Sequence, residues 1–82
     1  MSYHVYILYS GDFDKYYIGQ TNNVEGRVDR HNSGTQTATK PYMPWILMWS
    51  TEKHTRAEAM VLERKLKNLS KERLLIFIKK YS

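Results

Sequence analysis

Two short runs, "YHVYILY" and "YYIGQT", constrain this chain more than any other feature in it. Both are rich in β-branched and aromatic residues, and the first alternates in the two-residue rhythm of a strand. The six residues between them, "SGDFDK", have turn chemistry. A connection that short joins antiparallel neighbours, since a parallel pair needs a much longer crossover. The expectation is a hairpin with strands at residues 3–9 and 16–21. Strand parity then places His4, Tyr6 and Leu8 on one face, with Tyr3, Val5, Ile7 and Tyr9 on the other. By the same rule Tyr17 and Gly19 face together, opposite Tyr16 and Ile18.

A short helix follows the hairpin. Asn22 is the expected N-cap, with Glu25 three residues later in a near capping box. Val24 and Val28 lie one turn apart and should face the sheet, and Gly34 supplies a stop. Gly26 is the misfit, because glycine inside a helix costs roughly 1 kcal/mol relative to alanine. "NSGTQTATKPYMP" reads as a polar loop, and "WILMWS" as a continuous apolar strand, buried at the centre of the sheet or packed. In "TRAEAMVLERKLKNL" Ala59, Leu62, Leu66 and Leu69 form one helical stripe. Ser70 can cap a last helix reaching about residue 80, with Leu74, Phe77, Ile78 and Tyr81 inward. The expected order is β-β-α-β-α-α, an α+β fold in one domain spanning residues 1–82.

At 82 residues the chain should bury only about 60–65% of its unfolded surface. It has no cysteine, which excludes disulfides and a zinc finger. "MSYHVYILYS" lacks a basic region followed by a long apolar stretch, so no signal peptide is expected. No run approaches the ~18 apolar residues of a membrane span. The expected compartment is the cytoplasm, with no membrane partner. Net charge is +5. Up to Pro41, Lys15, Arg27, Arg30 and Lys40 balance Asp12, Asp14, Glu25 and Asp29, so the whole excess lies beyond. A one-sided basic excess suits a polyanion, although lysine-rich helices also serve simply as solvated surface.

The strand pair "HVYIL" and "YYIGQT", an arginine ten residues after Tyr17 and a histidine four later resemble the GIY-YIG nuclease family. "YIG" stands unchanged as Tyr17, Ile18 and Gly19, while "GIY" survives as "HVY", keeping Tyr6 alone. "AEAMVLERKLK" is similar to the family's helix with a metal-binding glutamate, at Glu63. The resemblance covers nearly the whole chain and is that of a small stand-alone member. It implies a three-stranded antiparallel sheet with flanking helices and metal-dependent hydrolysis of DNA, as in the nucleases of excision repair and homing. By motif position Tyr17 activates the attacking water and Tyr6 supports the phosphate site. Arg27 neutralises the phosphate, His31 assists proton transfer or phosphate contact, and Glu63 holds Mg²⁺ or Mn²⁺. Three positions depart from the family pattern: His4 replaces a glycine, Gln20 a common lysine, and Asn68 falls too early to match a helix asparagine.

These roles agree with elementary chemistry. Parity alone puts Tyr6, Tyr17 and Gly19 on one face, and Gly19 should leave that face open. Arg27 and His31, four apart, share a side of their helix. Mg²⁺ keeps several waters and takes phosphate oxygens, so one carboxylate suffices in a substrate complex. Ionising a phenol of pKa ~10 at pH 7 takes about 4 kcal/mol. Either Tyr17 bears that cost, offset by Arg27, or it orients water while His31 takes the proton. The resemblance therefore implies a DNA endonuclease, structure-directed or dependent on a protein partner for recognition, in repair or processing. Two other classes stay open: a non-catalytic nucleic-acid-binding module, and an adaptor docking through "RKLKNLSKERLL". The sequence leaves oligomeric state open.

Overall fold

The computed structural model describes residues 2–81, in the order β1 (Tyr3–Ser10), β2 (Lys15–Thr21), α1 (Val24–Asn32), β3 (Ile46–Lys53), α2 (Arg56–Lys67) and α3 (Lys71–Tyr81). The strands form one antiparallel sheet in the order β2-β1-β3. The α+β class and element order expected from the sequence are those observed. Tyr6 pairs with Gly19 and Leu8 with Tyr17 in the hairpin register. Its turn is closed by Asp14, whose φ of +50° lies in the left-handed region that Asp tolerates better than most residues. Asp14 accepts hydrogen bonds from the Tyr9 hydroxyl at 2.9 Å and from Lys71 Nζ at 2.8 Å. The turn is thereby tied to the start of α3. Lys71, and then Tyr9, hold the Asp14 carboxyl below its ordinary pKa.

Because β1 is central, both its faces are covered. Val5, Ile7 and Ile18 pack on one side against Ala59 and Leu66 of α2 and Leu74 and Ile78 of α3. Tyr6 and Leu8 pack on the other against Trp45, with Tyr17, Val24, Val28, Tyr42 and Met43 around them. The parity reading assigned each of these strand residues to its observed side.

Three local expectations are corrected. The N-cap of α1 is Asn23 rather than Asn22, and its Oδ1 accepts from the Gly26 amide at 3.1 Å. That also accounts for Gly26: a Cβ there would lie 2.6 Å from Asn23 Nδ2, so a side chain would press on the cap. The "WILMWS" strand is not buried at the centre. β3 is an edge, and Ile46 at its start is 58% exposed. Trp45, just before it, carries the burial instead. Tyr81 is largely exposed, although its ring stacks on Phe77 at 4.7 Å. Among the described residues no helix is long and apolar enough to cross a membrane.

Candidate active site

The site is built outward from Tyr6, in the middle of the central strand and only 2% exposed. Its ring lies across the paired strand at Gly19. A Cβ on Gly19 would meet Tyr6 Oη at 2.6 Å and Cζ at 2.8 Å. Glycine is therefore required here by a close approach. The face expected to stand open at Gly19 is filled by the phenol of Tyr6 itself.

Tyr6 Oη is hydrogen-bonded to His31 Nε2 at 3.0 Å, and His31 Nδ1 to Thr39 Oγ1 at 2.9 Å. His31 is 1% exposed, held down by its position in the last turn of α1 beneath the following loop. Burial, and then the charge of Arg27, lower its pKa, so the ring is neutral near pH 7. A neutral imidazole donates through one nitrogen and accepts through the other, which makes the chain of three directional. Protonation at Nε2 leaves the proton of Tyr6 free for another acceptor; protonation at Nδ1 commits it to His31. Burial pushes the Tyr6 pKa well above the usual phenol value. Tyr17 and Glu63 add to the rise while Arg27 opposes it. Tyr6 therefore keeps its proton throughout the neutral range.

The loop after α1 delivers Thr39. Asn32 Nδ2 donates to the Trp45 carbonyl at 2.9 Å, and its Oδ1 accepts from the Trp45 amide at 2.6 Å. The Trp45 indole N–H donates to the Thr39 carbonyl at 2.9 Å. This clamp folds the loop back, turning the Thr39 hydroxyl inward. Thr39, Asn32 and Trp45 in this role were not read from the sequence. The only local signal was a tryptophan beside the proline-punctuated segment.

Tyr17 sits beside this core, half-buried, with its ring centroid 4.7 Å from that of His31 and 6.3 Å from that of Tyr6. Arg27, half-buried on α1, is close enough for its charge to act on both Tyr6 and His31. Glu63 comes from α2, on the other side of the sheet, and reaches the end of β2 beyond the bare backbone of Gly19. Gln20 Nε2 donates to Glu63 Oε1 at 3.0 Å, and Lys67 Nζ pairs with Oε2 at 3.1 Å. The Glu63 side chain is 18% exposed, and its charge is felt at Tyr6.

The structure thus gathers Tyr6, Tyr17 and His31 in direct contact, with Arg27 and Glu63 within electrostatic range. It separates them by access: His31 and Tyr6 are enclosed, whereas Tyr17, Arg27 and Glu63 remain partly open. No group of three or more His, Cys, Asp or Glu residues is placed to cage a metal among the described residues. The donor that is present, one partly exposed carboxylate held by an amide and an ammonium, fits a hard ion that retains most of its waters.

This geometry and these motifs agree with comparisons to known proteins. The model of the GIY-YIG catalytic domain matches residues 2–81, and the chain belongs to that nuclease-like family. It is 34% identical over 77 residues to a UPF0213 protein of Staphylococcus haemolyticus, covering 93% of each chain. The solution NMR structure of a UPF0213 protein from Bacillus halodurans is similar, with a TM-score of 0.65 and 29% identity. That match covers 99% of this chain and 86% of the other.

Proposed function

We propose that this domain hydrolyses phosphodiester bonds in DNA with a divalent cation, Mg²⁺ or Mn²⁺, held by Glu63. The observation that carries the reading is the convergence of Tyr6, Tyr17, Arg27 and His31 around Gly19, with Glu63 coupled to Tyr6 by its charge. Arg27 receives the scissile phosphate. Tyr17, the less enclosed phenol, orients and activates the attacking water. Tyr6 keeps its proton and presents its hydroxyl to the phosphate site, fixed by His31, which Thr39 fixes in turn. His31 has no route to water except through its neighbours, so its part is to orient Tyr6. Glu63 would hold the cation, which when bound would supply Lewis acidity for charge on the leaving oxygen. Gln20 holds the carboxylate through Oε1, and the Lys67 ammonium at Oε2 is the group such a cation would displace.

The domain acts on branched, flapped or single-stranded DNA in repair or processing, with a protein partner contributing recognition. The test is cleavage of these DNA forms in Mg²⁺ or Mn²⁺, repeated with a chelator and with Tyr17→Phe. Cleavage should vanish with the chelator and fall by roughly 10²-fold or more in the variant. One observation favours the alternative, a non-catalytic DNA-binding module: both Glu63 oxygens already have partners. Salt-sensitive binding without cleavage of any of these DNAs in either metal would establish that alternative.

A further inference from the structure

A cavity of about 590 Å³ opens along the free edge of β2, between the hairpin and the corner where α2 meets α3. Phe13, Lys15, Tyr16 and Tyr17 line it from the hairpin, Lys67 and Lys71 from the corner. Two of these residues already belong to the candidate site: Tyr17, and Lys67, which pairs with Glu63. The cavity therefore adjoins, at the edge of β2, the candidate site in which Arg27 is proposed to receive the scissile phosphate. We propose that it seats an unpaired DNA segment flanking that phosphate, with Phe13 offering a stacking face and Lys15 and Lys71 meeting the backbone. This rests on the reading of the domain as one that acts on DNA, and it names the form of DNA that the domain prefers.

Charge, shape and aromatic chemistry point to the same occupant. Three lysines line the cavity against one carboxylate, that of Asp14. Lys71 is paired with Asp14 and Lys67 with Glu63, so among the described residues Lys15 is the lining cation not held in an ion pair, and Lys71 meets a phosphate by exchanging Asp14 for it. As an edge strand, β2 also turns unpaired backbone N–H groups outward, which are further donors for phosphate oxygens. Phe13 is 50% exposed yet anchored, packing edge-on against Tyr42 at 5.3 Å. Lys15 is placed by the same ring, its Nζ 4.2 Å from the Tyr42 centroid and donating to the hydroxyl at 3.2 Å. An exposed ring held still beside cations is the arrangement on which unpaired bases stack, whatever their identity. The volume lies within the roughly 300–1,000 Å³ of small-ligand sites. A base and its sugar fit such a cavity; a duplex is too wide for it and keeps its base faces covered.

Fluorescence anisotropy with a short labelled oligothymidylate and a duplex of equal length tests this, in chelator and low salt so that nothing is cut. The wild-type protein should bind the single strand more tightly. Phe13→Ala should weaken single-strand binding about tenfold, the loss of one stacked base, and duplex binding by less. Because Phe13→Ala also removes a contact with Tyr42, a second variant is needed. Lys15→Gln with Lys71→Gln should lower the single-strand salt slope by about 1.4, two contacts at ~0.7 each. Equal affinity for both DNA forms, or variants that bind the single strand like wild type, would overturn the proposal. Parallel cleavage assays separate it from the functional reading. A protein that cuts DNA but ignores these substitutions loses the cavity alone; one that binds through the cavity and never cuts loses the hydrolytic reading alone.

Discussion

Replacing Gly19 with alanine should destabilise the protein, against the usual direction of that change. Glycine in a strand interior ordinarily costs roughly 0.5–1 kcal/mol relative to alanine, through the freedom of the unfolded chain. Here the new Cβ would stand 2.6 Å from Tyr6 Oη and 2.8 Å from Cζ. Tyr6 is enclosed and cannot swing into solvent, so the ring or the strand must shift. Overpacking of this kind costs about 1–3 kcal/mol. The displacement also breaks the bond to His31, and leaving buried partners unpaired costs about 1–3 kcal/mol more. After the ordinary alanine gain, the net loss is about 1–5.5 kcal/mol, and at the middle of that range, ~3 kcal/mol, Tm falls by roughly 12–24 °C for a domain of this size. Urea and thermal melts measure it, with Tyr6→Phe completing a double-mutant cycle. Tyr6→Phe removes the hydroxyl and leaves the ring carbon in place, so it should return only part of the loss. A Gly19→Ala protein as stable as wild type, or more so, would refute the close-approach argument and the site geometry that rests on it.

Gly26→Ala should fail to deliver the ~1 kcal/mol that alanine normally gives a helix, because its Cβ would displace the Asn23 cap, itself worth about 1 kcal/mol; a full gain in a urea titration would contradict this. Thr39→Val leaves His31 Nδ1 without a partner in a buried position and should cost about 1–3 kcal/mol in the same measurement. The folded-state pKa of His31 is depressed, so the unfolded chain binds its proton more readily. Stability should therefore be full above about pH 6.5 and decline as the pH falls toward the folded value. In urea midpoints between pH 8 and 5 that slope should be smaller for His31→Gln, and an unchanged slope would mean that His31 does not titrate on unfolding.

The hairpin and the two-faced assignment of its residues were legible in the sequence because strand parity is a property of the backbone alone. Tyr6, Tyr17 and Gly19 could be placed together before any contact was known. The N-cap was missed by one position because Asn22 and Asn23 have the same capping chemistry, and only the chain's path chooses between them. Gly26 became intelligible only with the Asn23 side chain folded over it. "WILMWS" misled through its continuity: an unbroken apolar run suits a doubly covered strand, but that place belongs to Val5–Leu8, where the tyrosine's polar tip disguises equal burial. The depth of His31 was hidden for a different reason. Spacing set it beside Arg27 on the helix, whereas its burial comes from a loop whose Thr39 looks like any polar connector until Asn32 and Trp45 clamp it inward. Glu63 reached its place through family resemblance, since its contact with Gln20 spans 43 positions of chain.

Glu63→Gln separates a metal-dependent hydrolase from a binding module, because it removes the charge of the proposed ligand while nearly keeping its shape. The pair with Lys67 is an i,i+4 contact whose ammonium end is exposed, worth about 0.3–0.5 kcal/mol, and the Gln20 hydrogen bond can be remade to the amide oxygen. The fold should hardly change, and DNA affinity without metal should hold or rise slightly as a negative charge leaves the phosphate path. Single-turnover cleavage of flapped or single-stranded DNA in Mg²⁺ should collapse, since the cation stabilises charge that appears only in the transition state. A folded Glu63→Gln protein that cuts DNA at the wild-type rate in Mg²⁺ would contradict the account.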